Sequence, residues 1–505
     1  MRYASLSLLL GCLALQTGCV SARIEDFTWR RLQTEHFTLI SNAPAADSID
    51  LARSLERFRA VVLRVSGLAL TPEAIPTKIY LFADWGSYLK YTNGTSMLGF
   101  NYPTLRANYI VISPGVLGTD PQRIIFHEYV HYLLRHQRTS YPGWYDEGFA
   151  QFMSDLRIDK GRVLIGNLPR EDVSVYVRYW KLPLKTVLEN DYVLDWPPEN
   201  VAAFYAESWA TVHYLMTGSN ANDPDRGRQL RSYLQLLNAG VSRDAAFSSA
   251  FPSDQATMTR QIKHSFERRR VTGLEVPLAK LNYQRRVDEM VLAPHQVASD
   301  LGELTLVLGD SKAPLAQSLF ERTLEVEPHN SQARSGLAMA LAKQTQFERA
   351  LAEARAAVEA DPNRADAHID YAKILFGVCG ADSAGAPPAS CVGMLRMARD
   401  QFQRSLQLAP TAPEGHAGVG MTLARLQENT PAAIVHLTTA YDLSQWIPQL
   451  NLELAKLYVR AGQQDLARRS LTQVVRWAKS LTLRQQAATM LTQLTARAPG
   501  TVVAQ

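Results

Sequence analysis

Cysteine is scarce in this chain, and neither sign of charge is in large excess. Four cysteines occur in 505 residues, and two of them lie within the first 20 residues. The formal net charge is +5, which is small for this length, and no basic stripe with interleaved aromatic residues is present. Nucleic acid is therefore not an expected partner. Beyond the first 20 residues no run is long and apolar enough to cross a membrane.

What is present describes a globular protein of more than one domain. Hydrophobic residues make up 46% of the chain and charged residues 20%, which is a globular and not a disordered composition. At 505 residues the chain is too long for one ordinary core, so two or three domains are expected.

An apolar run at residues 124–134 contains the pattern H-E-x-x-H, formed by His127, Glu128 and His131. Asp120 and Pro121 precede this run, and a capping carboxylate followed by proline is typical of a helix start. Residues four apart share one helix face, so the two imidazoles can bind one metal ion. Glu128 is then placed to act as general base toward a metal-bound water. The spacing suits tetrahedral zinc, which at catalytic sites takes three protein ligands.

A third ligand is therefore needed, and a second predicted helix offers one. The segment 142–150 reads P-G-W-Y-D-E-G-F-A, which predicts a turn that opens a helix. The loop before it is short and polar, so the two helices should pack side by side and antiparallel. This packing returns Glu147 toward the histidines, and Gly148 beside it permits a close backbone approach.

Together, H-E-Y-V-H and P-G-W-Y-D-E-G-F-A resemble the gluzincin metallopeptidases, specifically the bacterial peptidase MA-like group. The resemblance implies a zincin-like α+β catalytic domain that binds Zn²⁺ through His127, His131 and Glu147, with Glu128 as the catalytic base. One departure is Gln151, which stands where gluzincins often carry a carboxylate that braces a metal-bound histidine. Asp146 and Asp155 are the alternative braces, and the sequence does not rank them.

Predicted strands and helices around the motif match the upper subdomain of gluzincins. Short strands are expected at 29–32, 36–41, 77–82 and 109–113, with helices at 47–65 and 84–91 between them. In gluzincins an edge strand pairs with the substrate backbone, as in strand addition generally. Residues 97–102 are the candidate edge, and a plain hairpin with 109–113 is the alternative.

A further predicted helix at 200–215 resembles the helix that packs under the metal in the same group. A hydrolase of this kind needs a donor for the developing oxyanion, usually tyrosine or histidine. Tyr205 and His213 are the candidates, and Tyr205 is carried as the second catalytic residue. A packing role is the alternative for both.

Residues 1–18 resemble a bacterial lipoprotein signal peptide. Residues 1–3 give a short basic start, and residues 6–15 form an apolar stretch too short to span a bilayer permanently. The sequence L-Q-T-G-C resembles a lipoprotein box and implies that Cys19 is lipidated. Val20 stands where an inner-membrane retention aspartate would be, so an outer-membrane anchor facing the periplasm is expected. Cleavage by an ordinary signal peptidase is the alternative.

The last two hundred residues repeat at a spacing of about 34 residues. The best unit is 331–363, where small residues recur at fixed places and Asp361-Pro362 ends the second helix. The pattern resembles tetratricopeptide repeats, in about five units. The resemblance implies an all-α solenoid whose concave groove binds peptides or partner proteins. A rigid spacer or a dimer surface is the alternative.

Cys379 and Cys391 bracket a Gly/Ala/Pro/Ser loop that interrupts the third repeat. In an oxidising periplasm these two residues can form a disulfide. Free thiols are the alternative, because spacing alone does not decide the pairing.

These observations predict three segments: a lipoprotein signal peptide at 1–18, an α+β zincin-like domain at 19–290 and a tetratricopeptide solenoid at 291–498. The expected function is that of a zinc-dependent peptidase of the bacterial cell envelope, anchored to the membrane by its lipid. Its repeats would recruit a protein or peptide substrate, or a partner protein. The alternative is a non-catalytic repeat-based adaptor lipoprotein whose metallopeptidase fold is vestigial.

Overall fold

The structure is a computed structural model. It describes residues 23–24, 27–68, 75–92, 99–112, 121–137, 141–166, 180–191, 193, 195–217, 225–267, 271, 273–379, 387–444, 447–478 and 480–496. The predicted signal peptide, Cys19, the predicted cap Asp120 and residues 97–98 of the predicted edge strand lie outside these residues. Within them, no helix combines the length and the apolar character needed to cross a bilayer.

A six-stranded mixed sheet forms the centre of the N-terminal half, in the order β4-β5-β3-β2-β1-β9. The central strands β2, β3 and β5 are parallel, and the outer pairs are antiparallel. Strand β4 lies at the edge of the sheet and forms the hairpin with β5 that the alternative predicts, while pairing of this edge with a substrate stays a prediction. The strands are β1 Arg30–Gln33, β2 Phe37–Ser41, β3 Thr77–Leu81, β4 Gly99–Pro103, β5 Asn108–Ile112 and β9 Asp288–Val291.

Both faces of this sheet are buried, because its central strands carry apolar residues at successive positions. One face presents Ile79 and Ile110 to a core that contains the H-E-x-x-H helix. The other face presents Tyr80 and Val111 to a second core, which includes Leu301. The sheet therefore has a separate helical layer on each side.

The predicted helices of the N-terminal half occur in the predicted order, and two short helices, Leu184–Glu189 and Arg243–Ala250, are also present. Asp84 caps α2 by accepting a hydrogen bond from the Ser87 backbone amide at 2.7 Å. The helices are α1 Ala45–Ser66, α2 Trp85–Tyr91, α3 Pro121–Arg135, α4 Gly143–Ser154, α5 Leu184–Glu189, α6 Pro198–Thr217, α7 Arg226–Asn238, α8 Arg243–Ala250 and α9 Gln255–Glu267. A small antiparallel sheet completes this half, with strands β6 Arg157–Asp159, β7 Arg162–Ile165 and β8 Leu274–Pro277.

Helix α4 packs against both α3 and α6, and its contact with α6 is especially close. A Cβ atom on Gly148 would lie 2.4 Å from the backbone oxygen of Ser208. Such a distance is not possible for another residue without movement of a backbone. Glycine at position 148 therefore sets the separation of α4 and α6.

The C-terminal half is a series of antiparallel helix pairs. Five pairs and one further helix lie within the described residues, in agreement with about five repeats. Small residues such as Ala338 and Ala354 are buried where the paired helices meet. The helices are α10 Pro294–Val307, α11 Ala313–Val326, α12 Ser331–Lys343, α13 Phe347–Ala360, α14 Ala365–Val378, α15 Ala389–Leu408, α16 Pro413–Leu426, α17 Thr430–Leu443, α18 Pro448–Arg460, α19 Gln464–Trp477 and α20 Leu481–Ala496.

The first helices of successive pairs form one layer. Helix α12 contacts α10 and α14, and α16 contacts α14 and α18. Each of these helices contacts the first helix of the next pair, so this layer is the more closely packed one and forms the inner, concave side of the array. We call this layer, formed by α10, α12, α14, α16 and α18, the inner face.

The loop between α14 and α15 is closed by a disulfide between Cys379 and Cys391, whose Cα atoms are 5.6 Å apart. This separation is ordinary for a disulfide. Residues 380–386 of the loop lie outside the described residues.

The two halves share a core. Leu301 and Leu304 of α10 pack with Trp29, Tyr80 and Tyr109 of the sheet domain. Strand β9, directly before α10, pairs with β1. The first helix pair is therefore built onto the second face of the sheet.

The close approach at Gly148 gives a first prediction. Gly148→Ala should lower the free energy of unfolding by about 1–3 kcal/mol, because the added methyl group forces α4 and α6 apart. Urea denaturation followed by circular dichroism measures this loss. Gly393→Ala is the control, since Gly393 is an exposed residue of α15 whose Cβ would meet nothing within 4 Å. Equal denaturation midpoints for Gly148→Ala and wild type would contradict the packing argument.

Candidate metal centre

The two histidines of the motif lie on one face of α3, as the spacing of four residues predicts. Both are buried, with 8% of His127 and 5% of His131 exposed. Their Nε2 atoms are 3.1 Å apart. The helix therefore presents two imidazole nitrogens to the same small volume.

Glu147 of α4 completes a group of three potential ligands. Its Oε2 atom lies 3.4 Å from His127 Nε2 and 3.5 Å from His131 Nε2. The three residues predicted as ligands are thus brought together by two helices that pack against each other. The contact of Gly148 with α6 holds this segment of α4 in place.

The separations among these three atoms are those that a tetrahedral ion requires. Zinc bound to nitrogen and oxygen at about 2.0–2.1 Å keeps its ligand atoms about 3.4 Å from one another. The three measured separations are 3.1, 3.4 and 3.5 Å. Two imidazoles and one carboxylate also form a donor set typical of catalytic zinc, which leaves one position open.

A carboxylate braces one of the two histidines from the far side of its ring. His131 Nδ1 donates a hydrogen bond to Asp146 Oδ1 at 2.8 Å. This bond directs Nε2 of the same ring toward Glu147 and His127. Asp155, the other candidate, is paired with Arg123 at 2.6 Å. Gln151 is buried, and its Oε1 atom has no hydrogen-bond partner in the described part of the chain.

Burial and charge act in opposite directions on the two histidines. Burial lowers the pKa of His127 to about 4. Burial also disfavours protonation of His131, but the carboxylates of Asp146 and Glu147 outweigh it and raise the pKa of His131 to about 10. Of the two imidazoles, His131 is therefore the one that more readily accepts a proton.

The pKa values of the two glutamates of the centre are shifted in opposite directions. Burial raises the pKa of Glu128, whose Oε1 atom has no hydrogen-bond partner within the described ranges. Burial also opposes ionisation of Glu147, but the neighbouring His131 and His127 overcome it and hold the pKa of Glu147 well below its ordinary value. Glu147 is thus the anionic member of the candidate ligand group, and Glu128 is the carboxylate with the greater tendency to accept a proton.

Tyr205 of α6 reaches the same centre. Its hydroxyl hydrogen-bonds Glu147, and burial together with the charges of Glu147 and Glu128 keeps the pKa of Tyr205 well above 10. The hydroxyl therefore stays protonated at neutral pH and is available as a donor.

His213 has a packing role in the structure. Its Nε2 atom bonds the Gly166 carbonyl oxygen at 3.1 Å, and its ring packs against Trp209 and Phe266. Burial lowers the pKa of His213 to about 4. Of the two residues considered as oxyanion donors, Tyr205 is the one that the structure places at the centre.

A contact that sequence analysis missed joins the edge strand to the motif helix. Asn101 of β4 donates from Nδ2 to the backbone oxygen of Glu128 at 3.2 Å. On the same strand, a Cβ on Gly99 would lie 2.8 Å from Ile124 Cγ2. No local pattern predicts this pairing, because the two partners are 27 residues apart and on different elements.

A second group of potential ligands, Glu35, His36 and Glu56, lies beside a cavity of about 430 Å³ elsewhere in the domain. Glu56 is buried and already accepts hydrogen bonds from Thr34 Oγ1 and from the His36 backbone and ring. This carboxylate therefore ties the β1–β2 turn to α1, and the group is structural.

Comparison with known proteins identifies part of the C-terminal half. Residues 308–374 match the tetratricopeptide repeat family. The chain contains a tetratricopeptide repeat region. This match and the helix pairs confirm the sequence prediction of repeats, and the segment formed by α10–α20 is called the repeat region from here on. No curated protein matches the chain.

Solved structures of repeat proteins resemble the chain over about two fifths of its length. A thermophilic tetratricopeptide repeat protein from Thermus thermophilus is 24% identical, covers 39% of this chain and 99% of its own, and gives a TM-score of 0.34. PilF of Pseudomonas aeruginosa is 20% identical over 41% of this chain and 93% of its own, with a TM-score of 0.30. YrrB, a repeat protein with an unusual peptide-binding site, is 14% identical over 39% of this chain and 91% of its own, with a TM-score of 0.30.

The brace on His131 gives a second prediction. In protein freed of metal with a chelator, Asp146→Asn should lower the pKa of His131 by about 1–3, because a negative partner is removed. Nuclear magnetic resonance titration of the histidine ring measures the change. Asp155→Asn is the control and should leave the pKa of His131 where it is.

The raised pKa of His131 also determines how the free energy of unfolding depends on pH. In metal-free wild type, protonated His131 contributes its full stabilisation below its unfolded pKa of about 6.5. That contribution is lost as the pH rises through the folded pKa of about 10. Asp146→Asn should therefore lower the unfolding free energy at pH 6 more than at pH 10, and the reverse order would contradict the assignment.

Proposed function

We propose that this chain is a zinc-dependent peptidase with a gluzincin-type centre, whose repeat region serves protein interaction. The observation that supports it most is the convergence of His127, His131 and Glu147 at tetrahedral separations. The buried Glu128 and the Tyr205 hydroxyl beside this group supply the other functions that peptide hydrolysis needs.

Each residue of the centre has a separate role in the proposed hydrolysis. Bound zinc would lower the pKa of a water molecule and polarise a peptide carbonyl. Glu128, whose pKa is raised by burial, accepts a proton from the attacking water and passes it to the leaving amine. Tyr205 donates its hydroxyl hydrogen to the oxyanion that develops on the carbonyl. Asp146 keeps His131 in the orientation that turns Nε2 toward the ligand group.

Strand β4 supplies a place for the substrate. It lies at the edge of the six-stranded sheet and is linked through Asn101 to the backbone of Glu128. An extended peptide that adds to this edge would run past the motif helix. The protein or peptide substrate is therefore expected to bind in extended form beside α3.

A second candidate function is a repeat-based adaptor without catalysis. The specific observation in its favour is the family match at residues 308–374, which concerns repeats and no enzyme. Repeat regions of this kind bind proteins and peptides, so an interaction role is the part of the proposal that the comparisons support. The membrane anchor at Cys19 and the periplasmic location stay predictions from the signal peptide.

Substitution of Glu128 distinguishes the two candidate functions. Glu128→Gln should keep one zinc per chain and lose hydrolysis of fluorescein-labelled casein by a factor of about 10²–10⁴, because the general base is removed. Elemental analysis and initial rates give the two measurements. Glu189→Gln, a change at an exposed glutamate of α5, is the control for a contaminating protease. Equal rates in wild type and Glu128→Gln, or no hydrolysis in zinc-loaded wild type, would favour the adaptor.

Tyr205 is tested separately as the oxyanion donor. Tyr205→Phe should reduce kcat by about 10²–10³ with zinc content unchanged, because one donor to the oxyanion is lost. Tyr214→Phe is the matched control, since Tyr214 lies on the same helix and bonds Gln261 instead of the centre. A kcat for Tyr205→Phe equal to that of the control would remove Tyr205 from the mechanism.

A further inference from the structure

The hairpin of β4 and β5 ends in a turn that reaches out of the sheet domain. Thr104 builds this turn, because its backbone amide and hydroxyl both bond the Ala107 carbonyl oxygen and its Oγ1 accepts from the amides of Arg106 and Ala107. Leu105 at the tip packs against the core of the repeat region. The turn is therefore a fixed projection with one apolar and one cationic side chain.

Arg106 enters a group of acidic residues on the inner face of the repeat region. It donates two hydrogen bonds to the Asp370 carboxylate, at 2.6 and 3.1 Å, and one to Glu414 at 3.0 Å. Asp366 lies 3.9 Å away. The Asp370 side chain is only 5% exposed and that of Glu414 13%. Charge pairs with this degree of burial and this bidentate geometry are the strong ones.

The acidic group is also held from within the repeat region. Ser335 of α12 donates to Asp370 at 2.6 Å, and Lys373 of α14 donates to Glu414 at 2.7 Å. Burial opposes ionisation of Glu414, but Arg106 and Lys373 overcome it and lower the pKa of Glu414 to about 2. Three successive inner helices thus form a preorganised receptor for the single guanidinium.

At its other end the hairpin touches the candidate metal centre. Asn101 bonds the backbone of Glu128, and Gly99 rests against Ile124. Among the strands that the structure describes, β5 is the one neighbour of β4 in the sheet. The contact of Arg106 with the repeat region is therefore a second constraint on β4, the edge strand beside the motif helix.

We propose that Arg106 is a positioning residue, through which the repeat region holds β4 in register with α3 for the reaction. The inference rests on the proposed function for its catalytic meaning, and the structural part of it is testable alone. It assigns the inner face at α14 and α16 to a contact within the chain. A partner protein would therefore bind to the remaining surface of the repeat region.

The experiment compares hydrogen–deuterium exchange of the full chain in wild type, Arg106→Gln and Asp370→Asn. Exchange at residues 99–112 should rise about tenfold in both variants, because each removes the same buried pair. Asp370→Asn is the more telling variant, since it lies 264 residues from its partner and outside the sheet domain. Arg396→Gln is the matched control, because it removes an exposed pair with Glu428 in the same region.

Further readouts separate positioning from loss of folding. The double variant Arg106→Gln/Asp370→Asn should exchange no faster than Arg106→Gln, since loss of the guanidinium already removes its pair with Asp370. In the casein assay KM should rise about tenfold with kcat changed less than about threefold, because substrate docking on β4 is affected before the chemistry. Zinc content should stay at one per chain.

Unchanged protection of residues 99–112 in both single variants would overturn the inference. If Arg106→Gln does not fold, Asp370→Asn gives the same test from the side of the repeat region. A wild-type protein without hydrolysis would overturn the proposed function instead, and the exchange experiment would still decide whether the repeat region holds the edge strand.

Discussion

The close contact of α4 with α6 at Gly148 is the constraint on which the candidate centre depends. With a hydrogen as its side chain, this residue lets α4 lie against the backbone of Ser208. Glu147, one position earlier, then reaches within 3.4–3.5 Å of both histidines of α3. Asp146 of the same turn braces His131. One residue thus fixes the position of the third candidate ligand and of the brace together, because adjacent helix residues move as one body.

The sheet makes a single unit of what the sequence divides into two domains. Successive side chains of each strand lie on opposite faces of the sheet. Ile79 and Ile110 are buried on one face, and Tyr80 and Val111 are buried on the other. The candidate centre lies against one face, and the first helix pair of the repeat region lies against the other. Because the repeat region is anchored in this way, its inner face stands where the β4–β5 turn can enter it.

The proposed zinc-dependent hydrolysis uses carboxylates with different tasks in one small volume, and this fold gives Glu128 and Glu147 different environments. Burial without a cationic partner raises the pKa of Glu128, whereas two histidines hold Glu147 ionised. The proposed function needs such a division between a proton acceptor and an anionic ligand. The comparisons identify the repeats, which both candidate functions include.

The local elements and the candidate ligands could be predicted from the amino-acid sequence. Spacing on one helix fixed the shared face of His127 and His131, and the pattern around Glu147 predicted the second helix. Tertiary structure alone decided that Asp146 and not Asp155 is the brace, that His213 is a packing residue, and that Arg106 lies among acidic residues more than 250 positions away. The reason is physical: periodicity and capping act within a few residues of the chain. Hydrogen bonds between distant segments depend on how whole layers pack, and no local pattern records that packing.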